Sequence, residues 1–297
     1  MARAPRRTAA GAGGAAGTRT APVPRRSSRL RSLVGEEPQP TSRARGDGRA
    51  ARAPVAARKG KGKGEGKAGQ GQSRAAGAGA GAAEGAAPVA WASHPMKARE
   101  QALKKKGFKT VAGVDEAGRG PLAGPVVAAA CIVEDRVNIQ EVMDSKQIAT
   151  EEQREAVFAA LEREKGVTFA YAVINHEEID RINILQATLR AMEQAVDKLP
   201  EPPAYIVVDG NRLPKGFDPV TSEAMVKGDS KCYAVAAASI VAKVVRDRIM
   251  HELDREYPQY GFKVHKGYGV PAHKAAIFKH GPSPVHRRTF APVKHML

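Results

Sequence analysis

Gly113-Val114-Asp115-Glu116-Ala117-Gly118-Arg119-Gly120 is the stretch from which the rest of the chain is read. A short apolar run, Thr110–Asp115, has the character of a strand. It ends in two adjacent carboxylates and breaks at once into a Gly-Arg-Gly turn. A second apolar run, 125–133 (Pro-Val-Val-Ala-Ala-Ala-Cys-Ile-Val), follows closely and reads as a buried strand. Two strands so near in sequence predict a hairpin. Neighbouring carboxylates repel, and a cleft raises that cost unless a cation neutralises them. For an all-oxygen site the natural cation is Mg²⁺ or Mn²⁺. The glycines let backbone approach a ligand closely, and Arg119 adds a fork for phosphate.

Outward from this stretch, the pattern predicts a mixed α/β domain with a central sheet flanked by helices and a helical C-terminal region. A basic helix over 96–106 is stopped by Gly107. Thr150 followed by Glu151, Glu152 and Gln153 is a helix start, with the helix running to about Lys165. Residues 167–174 alternate and are β-rich, a third strand. His176-Glu177-Glu178 opens a short helix, its acids suited to the helix dipole, and a longer one runs over 184–199 to Pro200. Residues 204–208 form a strand ending in Asp209-Gly210-Asn211. Asp229-Ser230 is expected to cap a helix that continues to about Tyr257, and residues 271–280 make a short one.

Charge divides the chain. Of its 297 residues the first 95 hold 18 of the 48 Lys+Arg and 5 of the 31 Asp+Glu, a net +13 of the total +17. They are rich in Ala, Gly, Arg and Pro, with Trp91 as their one aromatic, and lack hydrophobic periodicity. Such a segment buries too little apolar surface to offset its ordering entropy, so disorder is expected over 1–95 and a catalytic domain over 96–297. The first 35 residues carry eight Arg, several Ser/Thr and no acid, the composition of an organelle transit peptide for a chloroplast or mitochondrion. The competing reading, from the Arg25–Arg31 and Lys59–Lys63 clusters, is nuclear targeting or nucleic-acid contact, and the plainest is a solvated tail with no address. No stretch approaches the roughly 20 apolar residues that span a bilayer. Cys131 and Cys232 sit in apolar surroundings with no metal spacing, and read as buried free thiols.

Three segments bring carboxylates to one place. Asp115 and Glu116 end the first strand, and Asp209 ends another. Asp247 lies on the long helix, where Ser239, Lys243 and Asp247 are spaced by four along one face. Taken alone, that stripe reads as a solvated side. Taken with Asp115, Glu116 and Asp209 it lines a site. Four acids without clustered His or Cys describe a two-metal oxygen site for displacement at phosphorus.

Several motifs, in order, resemble bacterial-type ribonuclease HII. They are residues 113–127, Asp144-Ser145-Lys146, Val208-Asp209-Gly210-Asn211, Gly228-Asp229-Ser230-Lys231, residues 237–248, His265-Lys266-Gly267-Tyr268-Gly269 and His286-Arg287-Arg288-Thr289-Phe290. The likeness covers about 108–293 and none of the first 95 residues. It implies a ribonuclease H-like fold and an endonuclease, a monomer, that cuts the RNA strand of RNA–DNA hybrids. It also implies incision of duplex DNA at single embedded ribonucleotides, 5′ of the phosphate, leaving 3′-hydroxyl and 5′-phosphate ends. The resemblance maps the metal-binding catalytic acids onto Asp115, Glu116, Asp209 and Asp247. It maps the 2′-hydroxyl reader onto Gly118, Arg119 and Gly120, and the sugar-packing tyrosine onto Tyr268. A 2′-hydroxyl is the group that separates RNA from DNA, and reading it needs backbone very near the sugar. Lys146, Lys231, Lys243 and Ser239 are phosphate-contact candidates.

Two features depart from the family pattern: Val270 stands where a Thr is common, and the basic tail is additional. The rival reading is a non-catalytic nucleic-acid-binding protein acting through that tail. A catalytic subunit of the eukaryotic nuclear hetero-oligomeric enzyme is another, which the single-chain character of residues 121–125 opposes. His265, His273, His280, His286 and His295 lack tight ligand spacing and read as polar surface or phosphate contacts. Tyr257, Tyr260 and Phe262 read as core.

Overall fold

A computed structural model describes residues 94–297. The expected disordered tail therefore lies outside the described residues, except for His94 and Pro95. His94 accepts a hydrogen bond from the Met96 amide (3.4 Å) and caps a short 3-10 turn, Pro95–Lys97, so folded structure begins two residues before the expected boundary.

The centre is a five-stranded sheet in the order β3-β2-β1-β4-β5. Its strands are β1 (Val111–Ala117), β2 (Val126–Val133), β3 (Val167–Ile174), β4 (Tyr205–Asp209) and β5 (Ser222–Met225). β1, β2 and β3 form an antiparallel meander, which includes the expected hairpin. β4 and β5 add in parallel beside β1. The alternating side chains of β2 separate two cores: Val127, Ala129 and Cys131 face one, and Val126, Ala128 and Ala130 the other.

Helices cover both faces. They are α1 (Ala98–Lys105), α2 (Glu151–Arg163), α3 (His176–Ile182), α4 (Ile184–Asp197), α5 (Tyr233–Glu256), α6 (Phe262–His265) and α7 (Pro271–His280). α5 lies in one core with α2 beside it, and α4 fills the other. α2 starts as its sequence indicates: Thr150 accepts from the Gln153 amide (3.2 Å) while the Gln153 side chain accepts from the Thr150 amide (3.1 Å). α5 comes so close to β1 that a Cβ on Gly113 would collide with the backbone of Ala234 and Val235. Only glycine permits this approach, and it seats α5 directly behind the acid-bearing strand. Asp229-Ser230 does not cap α5. These residues form a separate 3-10 turn, Gly228–Ser230, and the helix cap is Cys232.

Candidate active site

The site follows from sheet register. Val114 pairs with Val208 in parallel β1 and β4, so the next residues, Asp115 and Asp209, stand side by side at the strand ends. Asp209 in turn pairs with Met225 of β5. Four residues after Met225 comes Asp229, reached through left-handed Lys227 (φ 58°). The Gly228 amide donates to Asp209 Oδ1 at 2.6 Å and locks this turn against β4. Three neighbouring strands thus deliver Asp115, Asp209 and Asp229 to one edge, with potential ligand atoms all within 4.8 Å of one another. The carboxyl ends of parallel strands are where open α/β sheets bind ligands.

Electrostatics marks the same set. Burial, then the charges of Glu116, Asp209 and Asp229, pushes the Asp115 carboxyl well above the usual range. Burial and Asp209 push Glu116 up, although Arg119 opposes this from 3.2 Å. Burial and Asp229 push Asp209 up as well. Crowded carboxylates that resist ionising together fit a hard divalent cation with oxygen ligands. Lys146 supplies one positive charge at the rim: its amine lies 2.7 Å from Asp229 Oδ2 and 3.8 Å from Asp144 Oδ1. That pairing raises the Lys146 pKa despite the opposing effect of burial.

Asp115, Glu116 and Asp209 line a cleft of about 280 Å³ together with Gly118, Arg119, Gly120, Lys146, Lys243 and Tyr268. The expected 2′-hydroxyl reader and the expected sugar-packing tyrosine therefore share one wall. A Cβ on Gly120 would lie 3.4 Å from the Tyr268 ring, so the loop and the ring are neighbours. Tyr268 is 46% exposed, with its face available. A larger cavity of about 540 Å³ between residues 139–149 and α2 is mostly apolar and holds none of the acids.

Three expected site residues stand elsewhere. Asp247 does not join the acid cluster. It is buried one helix turn from Lys243, whose amine donates to its Oδ1 (2.7 Å), and Arg154 stands 3.9 Å from Oδ2. Its place among the acids is taken by Asp229, because β5 carries that residue to the sheet edge. Ser239 is not a phosphate contact either. It is buried, donates to the Ala236 carbonyl (2.8 Å) and accepts from the Ser145 amide (3.2 Å), so it anchors the Asp144–Lys146 loop from behind. Lys231 donates to the Val226 carbonyl (2.7 Å) and lies outside the cleft lining.

The histidines also divide. His273 and His286 are fully buried, contrary to a surface role, with their Nε2 atoms 3.0 Å apart. His273 Nδ1 faces the Tyr268 carbonyl at 2.9 Å. Burial holds their pKa values down at about 4 and about 3. Tyr257, Tyr260 and Phe262 are core residues, and both cysteines are buried and free, as expected. Arg154, which also lines the cleft, lies within an ordinary helical pattern and had no signal in the sequence; Arg246, also in the lining, stood inside the 237–248 motif without a role of its own.

A family model described as Ribonuclease HII matches residues 112–293. Ribonuclease HII of Geobacter sulfurreducens is 49% identical over 199 residues, 67% of this chain and 89% of that protein. Ribonuclease HII of Albidiferax ferrireducens is 54% identical over 187 residues, 63% of this chain and 88% of that protein. Among solved structures, ribonuclease H2 from Pyrococcus horikoshii superposes with a TM-score of 0.51 at 31% identity, covering 63% of this chain and 96% of that one. Bst-RNase HIII, solved in complex with Mn²⁺, superposes at 0.50 with 25% identity, covering 62% of this chain and 68% of that one.

Proposed function

The chain belongs to the ribonuclease HII family, a family of nucleases with ribonuclease H activity on RNA–DNA hybrids, and from this we propose that it incises duplex DNA at single embedded ribonucleotides with a divalent cation. The observation that carries the reading is the convergence of Asp115, Asp209 and Asp229, the first two of which share one cleft with the Gly118–Gly120 loop.

We assign Asp115, Glu116, Asp209 and Asp229 to hold Mg²⁺ or Mn²⁺. A divalent ion there supplies Lewis-acid polarisation of the phosphate and a lowered pKa for the attacking water. The chain's own groups do the rest. Backbone of Gly118–Gly120 reads the 2′-hydroxyl, and the exposed Tyr268 ring packs against the neighbouring deoxyribose, where a 2′-hydroxyl would clash. Lys243 and Arg154 face phosphate from the α5 and α2 walls, with Asp247 between them holding both in place. Lys146 exchanges its bond to Asp229 for a phosphate oxygen. Breaking the O3′–P bond leaves a 3′-hydroxyl and a 5′-phosphate.

Full-length protein incubated with Mg²⁺ and a DNA duplex bearing one ribonucleotide gives a nick at that position, tracking it as it is moved. A folded sample that makes no nick overturns the reading. Residues 1–95 fit an organelle address by composition, chloroplast or mitochondrion ahead of nucleus. The proposed partners are RNA–DNA hybrids and ribonucleotide-containing duplex DNA, bound by a monomer. Among the described residues no helix is long and apolar enough to cross a membrane.

A further inference from the structure

Beneath the Gly118–Gly120 loop lie two buried guanidinium groups, Arg287 (0% exposed) and Arg246 (1%). Burying two like charges together is costly unless their donors are satisfied. Every hydrogen-bond acceptor they use is a backbone carbonyl. Arg287 donates to Gly118 O (2.6 Å), Arg119 O (2.9 Å), Gly124 O (3.0 Å) and Pro125 O (3.1 Å). Arg246 donates to Pro125 O (3.0 Å), Lys266 O (3.0 Å) and, at 3.4 Å, Ala123 O. The guanidinium of Arg287 also lies over the Phe290 ring, 5.0 Å from its centroid.

The consequence is geometric. In a planar trans peptide the C=O and the following N–H point in opposite directions. Arg287 draws Gly118 O and Arg119 O inward, so the N–H groups of Arg119 and Gly120 point away from it, toward the cleft. Neither N–H has a hydrogen-bond partner among the described residues. Gly118 adopts φ 97°, and a Cβ there would collide with the Arg246 side chain, so the loop also rests directly on Arg246. Arg246 also grips Lys266 O, two residues before Tyr268, joining both halves of the recognition wall to one support.

We propose that Arg287, which shares the Pro125 carbonyl with Arg246 under the loop, is the positioning residue for ribonucleotide recognition, turning the Arg119 and Gly120 N–H groups toward the sugar's 2′-oxygen. This rests on the reading of Gly118–Gly120 as the 2′-hydroxyl reader. Lysine in its place keeps the charge but has no fork to span four carbonyls on two segments.

The test uses full-length wild type, R287K and R287M. Binding is measured by fluorescence anisotropy, with Ca²⁺ in place of the catalytic cation, to a duplex with one ribonucleotide and to the same duplex in all-DNA form. Wild type favours the ribonucleotide duplex. Both variants lose that preference by about tenfold, the scale of a misplaced hydrogen-bond pair, with all-DNA affinity unchanged. Equal weakening of both duplexes, or a preserved preference in folded variants, overturns the role of Arg287 alone. A wild type without preference overturns the reading of the loop and the inference with it. If R287M does not fold, R287K decides.

Discussion

Asp229 and Asp247 are both buried carboxylates within reach of a lysine, yet their surroundings give them opposite parts. Asp229 shares its space with two further acids and Lys146 offsets one charge only, so in the metal-free protein the cluster carries excess negative charge. Asp247 sits between Lys243 and Arg154, so its charge is what those cations need. D229N should therefore lower nicking on the order of 10³-fold, the several kcal/mol that a bound metal's charge stabilisation is worth. It should leave the metal-free melting temperature equal or higher, and abolish the rise in melting temperature on adding Mn²⁺. D247N should lower melting temperature while keeping that rise. Calorimetry with and without Mn²⁺, beside a nicking assay, reads both, and the reverse pattern would restore Asp247 as a ligand. The signature Gly228–Lys231 was visible in the sequence, but a short Asp-Ser pair before a helix looks like a cap. Its proximity to Asp209 exists only through β4–β5 pairing.

At the scale of elements, the α2 capping box, the β1–β2 hairpin and the bounds of β3 were legible because local chemistry determines them. β5 was not: Ser222-Glu223-Ala224-Met225 has no β pattern, and only pairing with β4 makes it a strand. The stripe Ser239, Lys243 and Asp247 on α5 was legible as one helix face, but not what that face meets. The buried His273–His286 pair is a further case. His273 faces His265, Phe262 and the Tyr268 carbonyl; His286 faces Ser283, Tyr260, Phe262 and His176, and burial is the main influence on both. Both stay neutral in the fold, whereas unfolded histidine protonates near 6.5. The unfolded state therefore binds more protons as pH falls from about 6.5 toward 4 and 3, and stability, full above that window, is lost through it. Each histidine contributes a slope of up to about 1.4 kcal/mol per pH unit. Urea unfolding from pH 7 to pH 4 should show this slope, and H286N should flatten it; an unchanged slope would refute the assignment.

For the whole molecule, the split in charge predicts a split in labour. The family match begins at residue 112 and the acids all follow it, so deleting residues 1–93 should leave nicking within about twofold while weakening salt-sensitive DNA binding. Loss of cutting on that deletion would favour the tail as the functional part. A reporter fused to residues 1–95 should enter an organelle, and a purely nuclear signal would contradict the address read from composition. The sequence by itself determined the family, the strand-ending acids Asp115, Glu116 and Asp209, the glycine loop and Tyr268, because each is carried by a contiguous run whose chemistry is local. Tertiary structure alone decided that Asp229 rather than Asp247 completes the acid cluster, that Ser239 faces inward, and that Arg246 and Arg287 hold the loop. Those facts depend on register between strands and on which face of a helix meets the sheet. Spacing along one chain fixes direction within an element, but distance between elements is set by packing.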